Sequence, residues 1–116
     1  GNLVLISELL KSGHDPMVIR HALLSQGYAE DRMWHLETLI KSQNRVVMLR
    51  SALARIEVAP TDKVIDSVAE HIANNLDSPS ALEVLDQWAL DTENGAIGGS
   101  VGELSRFIDA ALGLAL

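Results

Sequence analysis

The stretch SGHDPMVIRHALLSQGY, residues 12–28, decides the fold class because it contains both ends of a helix. Asp15 is a typical N-cap residue, and Pro16 suits the first helical position, where a missing N–H costs nothing. Gly27 is typical of the residue that follows a helix C-terminus. The stretch therefore predicts a helix over residues 16–26.

Helical periodicity extends to both sides of this stretch. A short helix is predicted near residues 6–12, ended by Gly13. Between residues 31 and 57, apolar positions alternate at spacings of three and four, which is typical of a long helix packed nearly antiparallel to others. These positions are Leu39, Ser42, Val46, Leu49, Leu53 and Ile56.

Three later helices are predicted from caps followed by apolar faces. Thr61 would cap a helix with Ile65, Val68, Ile72 and Leu76 on one face. Ser78, with Pro79 in the first turn, would cap a helix whose inner face is Ala81, Leu85 and Trp88. Ser100 and Glu103 would form a capping box before Leu104, Phe107, Ile108 and Leu112. No alternating run predicts a strand, so the predicted fold class is an all-α helical bundle.

Composition limits the classes of protein. With 116 residues, of which 47% are hydrophobic, the chain can form one ordinary core. No apolar run reaches the roughly 20 residues of a transmembrane helix, and no signal peptide is recognised, so a cytoplasmic protein is expected. The absence of cysteine excludes disulfides, thiolate metal sites and a cysteine nucleophile within these residues.

Charge is distributed unevenly. The net charge is −7, and residues 60–99 carry one basic side chain, Lys63, against eight acidic ones. Nucleic-acid-binding proteins gather Lys and Arg on one face, so this half is a poor surface for RNA. Lys41, Arg45, Arg50 and Arg55 make residues 41–55 the most basic segment. We expect a salt-bridged face there, with a phosphate-binding stripe as the alternative.

The histidines, the paired aspartates and the tryptophans do not indicate an active site. His14, His21, His35 and His71 have no metal-ligand spacing, so no metal site is expected. The pairs Asp62/Asp66 and Asp86/Asp91 could perform acid–base catalysis, but we expect them to lie on solvated helix faces. Trp34 and Trp88 are expected in the core or half-buried.

Residues 1–28 resemble the segment that follows the Lys-Met-Ser-Lys-Ser signature in cysteinyl-tRNA synthetases and their relatives. The matching positions are Gly1-Asn2, Leu9-Leu10, Asp15-Pro16, Arg20 and Leu23-Leu24. Leu5 departs from the family pattern, which often has threonine there. On this resemblance we expect the chain to be a piece of a longer protein whose catalytic domain lies upstream.

Two later stretches resemble one relative, the mycothiol ligases, more than the synthetases. NNLDSPSALEVLDQWA, residues 74–89, is similar to the ligase pattern Asp-Leu-Asp-Thr-Pro-x-Ala-Leu followed by Asp-x-Trp-Ala, with Ser78 in place of threonine. The synthetases lack a tryptophan at the place of Trp88. ELSRFIDAALGLAL, residues 103–116, looks like the ligase terminus, whereas a synthetase usually continues into another tRNA-reading module.

The resemblance implies a specific fold and function. The chain would be the C-terminal bundle, akin to the anticodon-binding domain of class I synthetases, of an ATP-dependent ligase that joins cysteine to glucosaminyl-inositol through cysteinyl-adenylate. Residues 1–30 would follow the signature loop and residues 31–116 would form the bundle. Gly1 and Asn2 would be the tail of the ATP-binding loop. Catalytic residues, the ATP site and the zinc ion would lie in the missing domain, which would be this chain's partner.

The implied bundle would itself be non-catalytic, and neither tRNA nor membrane binding is expected. Two alternatives stay open from the sequence. The chain could be the helical tRNA-binding domain of a cysteinyl-tRNA synthetase, with a basic stripe centred on Arg45 and Arg50. It could also be an independent acidic bundle that binds another protein.

Overall fold

The computed structural model describes the backbone of residues 3–27 and 33–116, and the side chains of residues 5–27 and 35–116. The elements in chain order are β1 Leu3–Leu5, α1 Ile6–Lys11, α2 Pro16–Ser25, β2 Met33–His35, α3 Leu36–Leu53, α4 Asp62–Ala73, α5 Ser78–Glu93 and α6 Val101–Leu112. Helices dominate this architecture, and the predicted all-α fold class is confirmed. The predicted tail of an ATP-binding loop, Gly1 and Asn2, lies outside the described residues, as does the side chain of Trp34.

A short antiparallel ribbon was not predicted. Strand β1 pairs with β2, placing Leu3 opposite His35 and Leu5 opposite Met33. The predicted start of the long helix at residue 31 is therefore wrong, because residues 33–35 are extended and paired with β1. Three residues per strand are too few for side-chain alternation to be recognised in a sequence.

The long helix α3 also ends before its predicted limit at residue 57. It stops at Leu53, and turns occupy the residues that follow. Ile56 is 97% exposed, so its predicted place on the core face is wrong. The rest of the face is confirmed, since its other predicted members are buried or half-buried: Leu39, Ser42, Val46, Leu49 and Leu53.

Two clusters of buried apolar side chains hold the helices together. The larger one joins α3, α4, α5 and α6 around residues such as Leu49, Val68 and Trp88. The smaller one joins α1 and α2 to α3 around Leu9 and Val46. The proposed division of the chain at residue 30 stays a prediction.

Most of the predicted inner faces of the later helices are buried. Ala81, Leu85 and Trp88 of α5 have almost no accessible surface, and Leu104, Ile108 and Leu112 of α6 are likewise buried. On α4, Val68 is buried while Ile65 and Ile72 are half-buried. Leu76 is a wrong prediction: α4 ends at Ala73, and Leu76 is 60% exposed in a left-handed conformation.

Helix capping follows the prediction at α2 and departs from it at α5. The Asp15 carboxylate accepts a hydrogen bond of 2.9 Å from the Met17 N–H, as expected of an N-cap. At α5 the cap is Asp77, which accepts from the Ser80 N–H. The predicted cap, Ser78, is the first helical residue, and its hydroxyl donates at 2.7 Å to the Leu24 carbonyl at the end of α2.

The predicted N-cap residues of α4 and α6 are right, but the predicted capping hydrogen bonds are not formed. Thr61 and Ser100 occupy the N-cap positions, but neither side chain binds its own helix. Instead the Thr61 hydroxyl accepts a hydrogen bond of 3.0 Å from the Ser100 N–H. This bond links the starts of two helices through the Thr61 hydroxyl and the Ser100 backbone, and sequence spacing alone does not predict it.

Trp88 attaches α5 to the segment between α3 and α4. Its indole N–H donates at 2.9 Å to the Ala59 carbonyl, and the Ala59 N–H donates to the Thr92 hydroxyl one helical turn later. The prediction that Trp88 is buried is confirmed, and Trp88 shares its cluster with Leu49. Gly99 lies against the same segment, where its N–H donates to the Val58 carbonyl.

The last residues return to α2. The Arg20 guanidinium donates at 2.9 Å to the carbonyl of Leu112, the final residue of α6. Gly113 then adopts a left-handed conformation, which turns the chain so that Leu114 is fully buried. Among the helices of residues 3–27 and 33–116, none combines the length and apolarity needed to cross a bilayer.

Candidate functional site

The arginines of α3 and of the turn that follows it are paired with carboxylates on other helices. Arg45 contacts Asp86 of α5 at 2.8 Å, and Arg50 contacts Asp15, the N-cap of α2, at 2.6 Å. Arg55 contacts Glu93 at 2.7 Å. The predicted salt-bridged face is therefore confirmed.

These ion pairs lower the pKa of two of the carboxyl groups. The hydrogen bond from Arg50, and then that from the Met17 N–H, lower the pKa of Asp15, while the hydrogen bond from Arg55 lowers that of Glu93. Each pair is partly exposed, so it adds little to stability by itself. Their effect is to hold α3 in position against α2 and α5. The guanidinium groups that a phosphate-binding stripe would need are already occupied.

His21 of α2 is a buried titratable residue. Its side chain is 1% exposed, and Nδ1 lies 3.0 Å from the Ser42 hydroxyl of α3. Burial, reinforced by the positive charge of Arg45, lowers the pKa of His21 to about 4. A neutral imidazole bound to a single hydroxyl is a packing residue here. Among the described residues no carboxylate joins the pair, so the part of the site that the structure describes lacks the orienting group of a nucleophilic triad.

The other candidate residues do not converge. His14 and His35 are exposed, and His71 is half-buried. Within the described residues, no three His, Asp or Glu side chains are close enough to hold a metal ion. Asp62 and Asp66 are exposed on α4. Of the second predicted pair, Asp91 accepts a hydrogen bond from Gln87.

An apolar groove between α4 and α5 was not predicted from the sequence. It has a volume of about 610 Å³, and Trp88, Val64 and Val84 contribute to its walls. Lys63 and Asp91 supply the only charges of its lining. No motif marks the groove, because it forms where two helices and the loop after α5 meet.

A second concave surface lies on α1. Among the described residues, Leu5, Ile6, Ser7 and Leu10 line a concavity of about 490 Å³. The sequence predicts that these residues follow the ATP-binding loop, but it does not predict that they form an open apolar surface. Neither concavity presents a nucleophile with a neighbouring base, so the described residues contain no recognisable catalytic constellation.

Comparison with known proteins gives matches along the full chain. The chain is 39% identical over 118 residues to the L-cysteine:1D-myo-inositol 2-amino-2-deoxy-alpha-D-glucopyranoside ligase of Streptomyces griseus, and 40% identical over 127 residues to that of Catenulispora acidiphila. It is 42% identical over 119 residues to the ligase of the same name from Actinosynnema mirum. No family model matches the chain.

Each match includes 100% of this chain but only about three-tenths of the relative, namely 29% of the Streptomyces protein and 30% of the Catenulispora protein. Identities near 40% over the whole chain exceed what a shared helical architecture alone would produce. The predicted resemblance is confirmed: over its whole length, this chain is similar to part of the L-cysteine:1D-myo-inositol 2-amino-2-deoxy-alpha-D-glucopyranoside ligases, the mycothiol ligases.

Proposed function

We propose that this chain is the C-terminal helical domain of an ATP-dependent ligase that joins cysteine to the amine of glucosaminyl-inositol. The observation that carries the proposal is the identity of about 40% to ligases of that name over the whole chain. The proposal places the enzyme in the cytoplasm, where thiols such as that of cysteine stay reduced.

The proposed reaction has two steps. The cysteine carboxylate attacks the α-phosphorus of ATP, which forms cysteinyl-adenylate and releases pyrophosphate. The sugar amine then attacks the activated carbonyl carbon, which forms an amide and releases AMP. Both steps develop negative charge and gain from fixed positive groups. Among the described residues the three paired arginines are committed to carboxylates, so we assign those positive groups to the rest of the enzyme.

The zinc ion implied by the family does not fit the residues described here. The chain has no cysteine, and residues 3–27 and 33–116 bring no three metal-ligating side chains together. We therefore assign zinc, and the main part of the ATP site, to the rest of the ligase. Gly1 and Asn2 remain the proposed tail of the ATP-binding loop.

The proposed role of the chain itself is to hold α2 rigidly. Three interactions fix this helix at different points: Asp15 with Arg50 of α3, Arg20 with the end of α6, and the Leu24 carbonyl with Ser78 of α5. A catalytic loop connected to this region would thereby be anchored to the whole bundle. Rigid support matters because a displacement of about 1 Å at reacting atoms can cost roughly 10²-fold in rate.

A tRNA-binding function is disfavoured by the paired arginines and by the acidic second half of the chain. With a net charge of −7, we expect tRNA binding weaker than the roughly 10⁻⁴–10⁻⁶ M of non-specific contacts. A fluorescence anisotropy titration with tRNA at physiological salt tests this. A sub-micromolar dissociation constant would favour the synthetase alternative.

The catalytic assignment is tested by cysteine-dependent exchange of pyrophosphate into ATP. We expect exchange by a full-length ligase containing this chain and none above background by the isolated 116-residue chain. Exchange by the isolated chain would show that it has an adenylation site of its own. Absence of exchange in the full-length protein would contradict the proposed activity.

A further inference from the structure

The loop after α5 begins with the dipeptide Asn94-Gly95, the only Asn-Gly pair in the chain. An asparagine followed by glycine is the pair in which the side-chain amide reacts most readily with the backbone, because glycine has no β-carbon to hinder the attack. The other asparagines of the described residues, Asn44, Asn74 and Asn75, all precede residues with bulky side chains. Asn94 is therefore the asparagine with the least hindered neighbour.

The structure leaves this dipeptide accessible at the end of a helix. Asn94 is the C-cap residue of α5, and its side chain is exposed. Gly95 has a positive φ of 97°, and a β-carbon added there would meet open space. The Gly95 N–H donates at 3.0 Å to the Thr92 carbonyl, so the nitrogen is free to react only when this last turn opens. Such local opening of a helix end costs far less free energy than global unfolding.

We propose that Asn94-Gly95 is a site of spontaneous deamidation and isomerisation. The Gly95 nitrogen loses its proton to solvent and attacks the Asn94 Cγ, the Cγ–Nδ2 bond breaks, and ammonia leaves, so that a cyclic succinimide forms in the chain. Water then opens the ring at one of its two carbonyl carbons. One product is aspartate at position 94, and the other is isoaspartate, in which the backbone runs through the side-chain carboxyl carbon. Water is the only co-reactant.

Both products place a carboxylate where the surroundings disfavour one. Position 94 follows Asp91 and Glu93 at the C-terminal end of α5, where the helix dipole is unfavourable to negative charge. Asp91 and Asn94 both line the groove of about 610 Å³, so the reaction adds negative charge to that groove. Isoaspartate also inserts one methylene between the Asp91 carbonyl and the Ala96 N–H, which are joined by a hydrogen bond of 3.0 Å. The reaction therefore loosens the turn that ends α5.

Mass spectrometry follows the reaction in a full-length protein that contains this chain, incubated in mildly alkaline buffer. We expect the proteolytic peptide with Asn94 to gain about one dalton before any other asparagine peptide does. Isoaspartyl O-methyltransferase, which methylates isoaspartate but not aspartate, distinguishes the two products. Gly95→Ala should slow the conversion severalfold, although alanine is strained at a positive φ and would favour opening of the turn. Asn94→Gln is the matched control and should show no conversion at this position.

Asn94 that stays unmodified in the folded protein, over a period in which a synthetic peptide of residues 88–100 is converted, would overturn the proposal. Equal conversion of the parent and Gly95→Ala would also overturn it, as would earlier conversion of another asparagine. Asn94→Asp carries the charge of one product and should lower the Tm by about 1–4 °C relative to Asn94→Gln. Equal melting of these two variants would overturn the proposed effect on the end of α5.

Discussion

Replacing Trp88 with alanine tests how the bundle is held together. Trp88 is the largest fully buried side chain of the described residues, and it packs within the cluster that joins α3, α4, α5 and α6. Truncating a buried tryptophan to alanine costs about 3–5 kcal/mol. This is a large share of the roughly 5–15 kcal/mol that stabilises a domain.

The hydrogen bond from Trp88 to the Ala59 carbonyl can be separated from the packing term. Trp88→Phe keeps an aromatic ring but leaves this buried carbonyl without its 2.9 Å donor. An unsatisfied buried acceptor costs about 1–3 kcal/mol, so the phenylalanine variant should lie between the parent and Trp88→Ala. The difference between the two variants then measures the packing of the phenyl ring alone, because Trp88→Phe loses part of the indole volume together with the hydrogen bond.

Urea and thermal unfolding of the isolated chain, followed by circular dichroism, provide the measurement. At about 4 °C per kcal/mol, Trp88→Ala should lower the Tm by more than about 10 °C or leave the chain unfolded. Leu90→Ala is the control on the same helix, because Leu90 is partly exposed and should change the stability by less than about 1 kcal/mol. A Trp88→Ala variant that melts within two degrees of the parent would refute the assignment of Trp88 to the core.

Three further outcomes are expected. The pKa of His21 is about 4 in the folded state and near 6.5 in the unfolded state. As the pH is lowered from 6.5 to 4, the unfolded state binds a proton that the folded state does not, so stability should fall by up to about 1.4 kcal/mol per pH unit. His21→Gln should flatten that part of a urea-unfolding profile, and an unchanged slope would contradict the burial argument. Gly99→Ala should lower the Tm, since a β-carbon there would overlap the Ala59 carbonyl oxygen. Gly102→Ala is the control, because Gly102 lies within α6 without a positive φ and its nearest neighbour is the end of the flexible Arg106 side chain; equal melting of the two variants would contradict this. Asp15→Ala should cost about 1 kcal/mol by removing the α2 cap and should weaken the attachment of Arg50; a chemical-denaturation curve that superimposes on the parent's would contradict both roles.

Local signals in the sequence predicted the helices well where a cap and an apolar face agreed. Asp15 with Pro16 located the start of α2, and the α5 face of Ala81, Leu85 and Trp88 is buried as expected. Such features depend on residues close in sequence, so periodicity and capping chemistry are sufficient to identify them.

The wrong predictions share a different cause. Thr61 occupies the predicted N-cap position of α4, but its hydroxyl binds the Ser100 N–H at the start of α6 instead of its own helix. Ile56 continues the heptad spacing of α3, yet the helix has already ended at Leu53. In each case a contact or a chain reversal outside the local window determines the result, and spacing alone does not encode it.

The candidate surfaces were the least predictable part. The paired arginines could be anticipated as a salt-bridged face, but their partners Asp15, Asp86 and Glu93 come from other helices. The concavity on α1, lined by Leu5, Ile6, Ser7 and Leu10, and the groove beside Trp88 form where separate helices and loops pack together. The family was recognisable because its matching residues occur in order along the chain.

The proposed activity is tested most directly by a competition between acceptors in one assay. A full-length ligase that contains this chain is supplied with ATP and labelled cysteine, together with both glucosaminyl-inositol and tRNA. We expect label in an acid-stable amide with the sugar, AMP formed in equal amount, and no label on tRNA. Transfer of cysteine to tRNA, or AMP formation that is independent of the sugar amine, would contradict the assignment of this chain to a cysteine–sugar ligase.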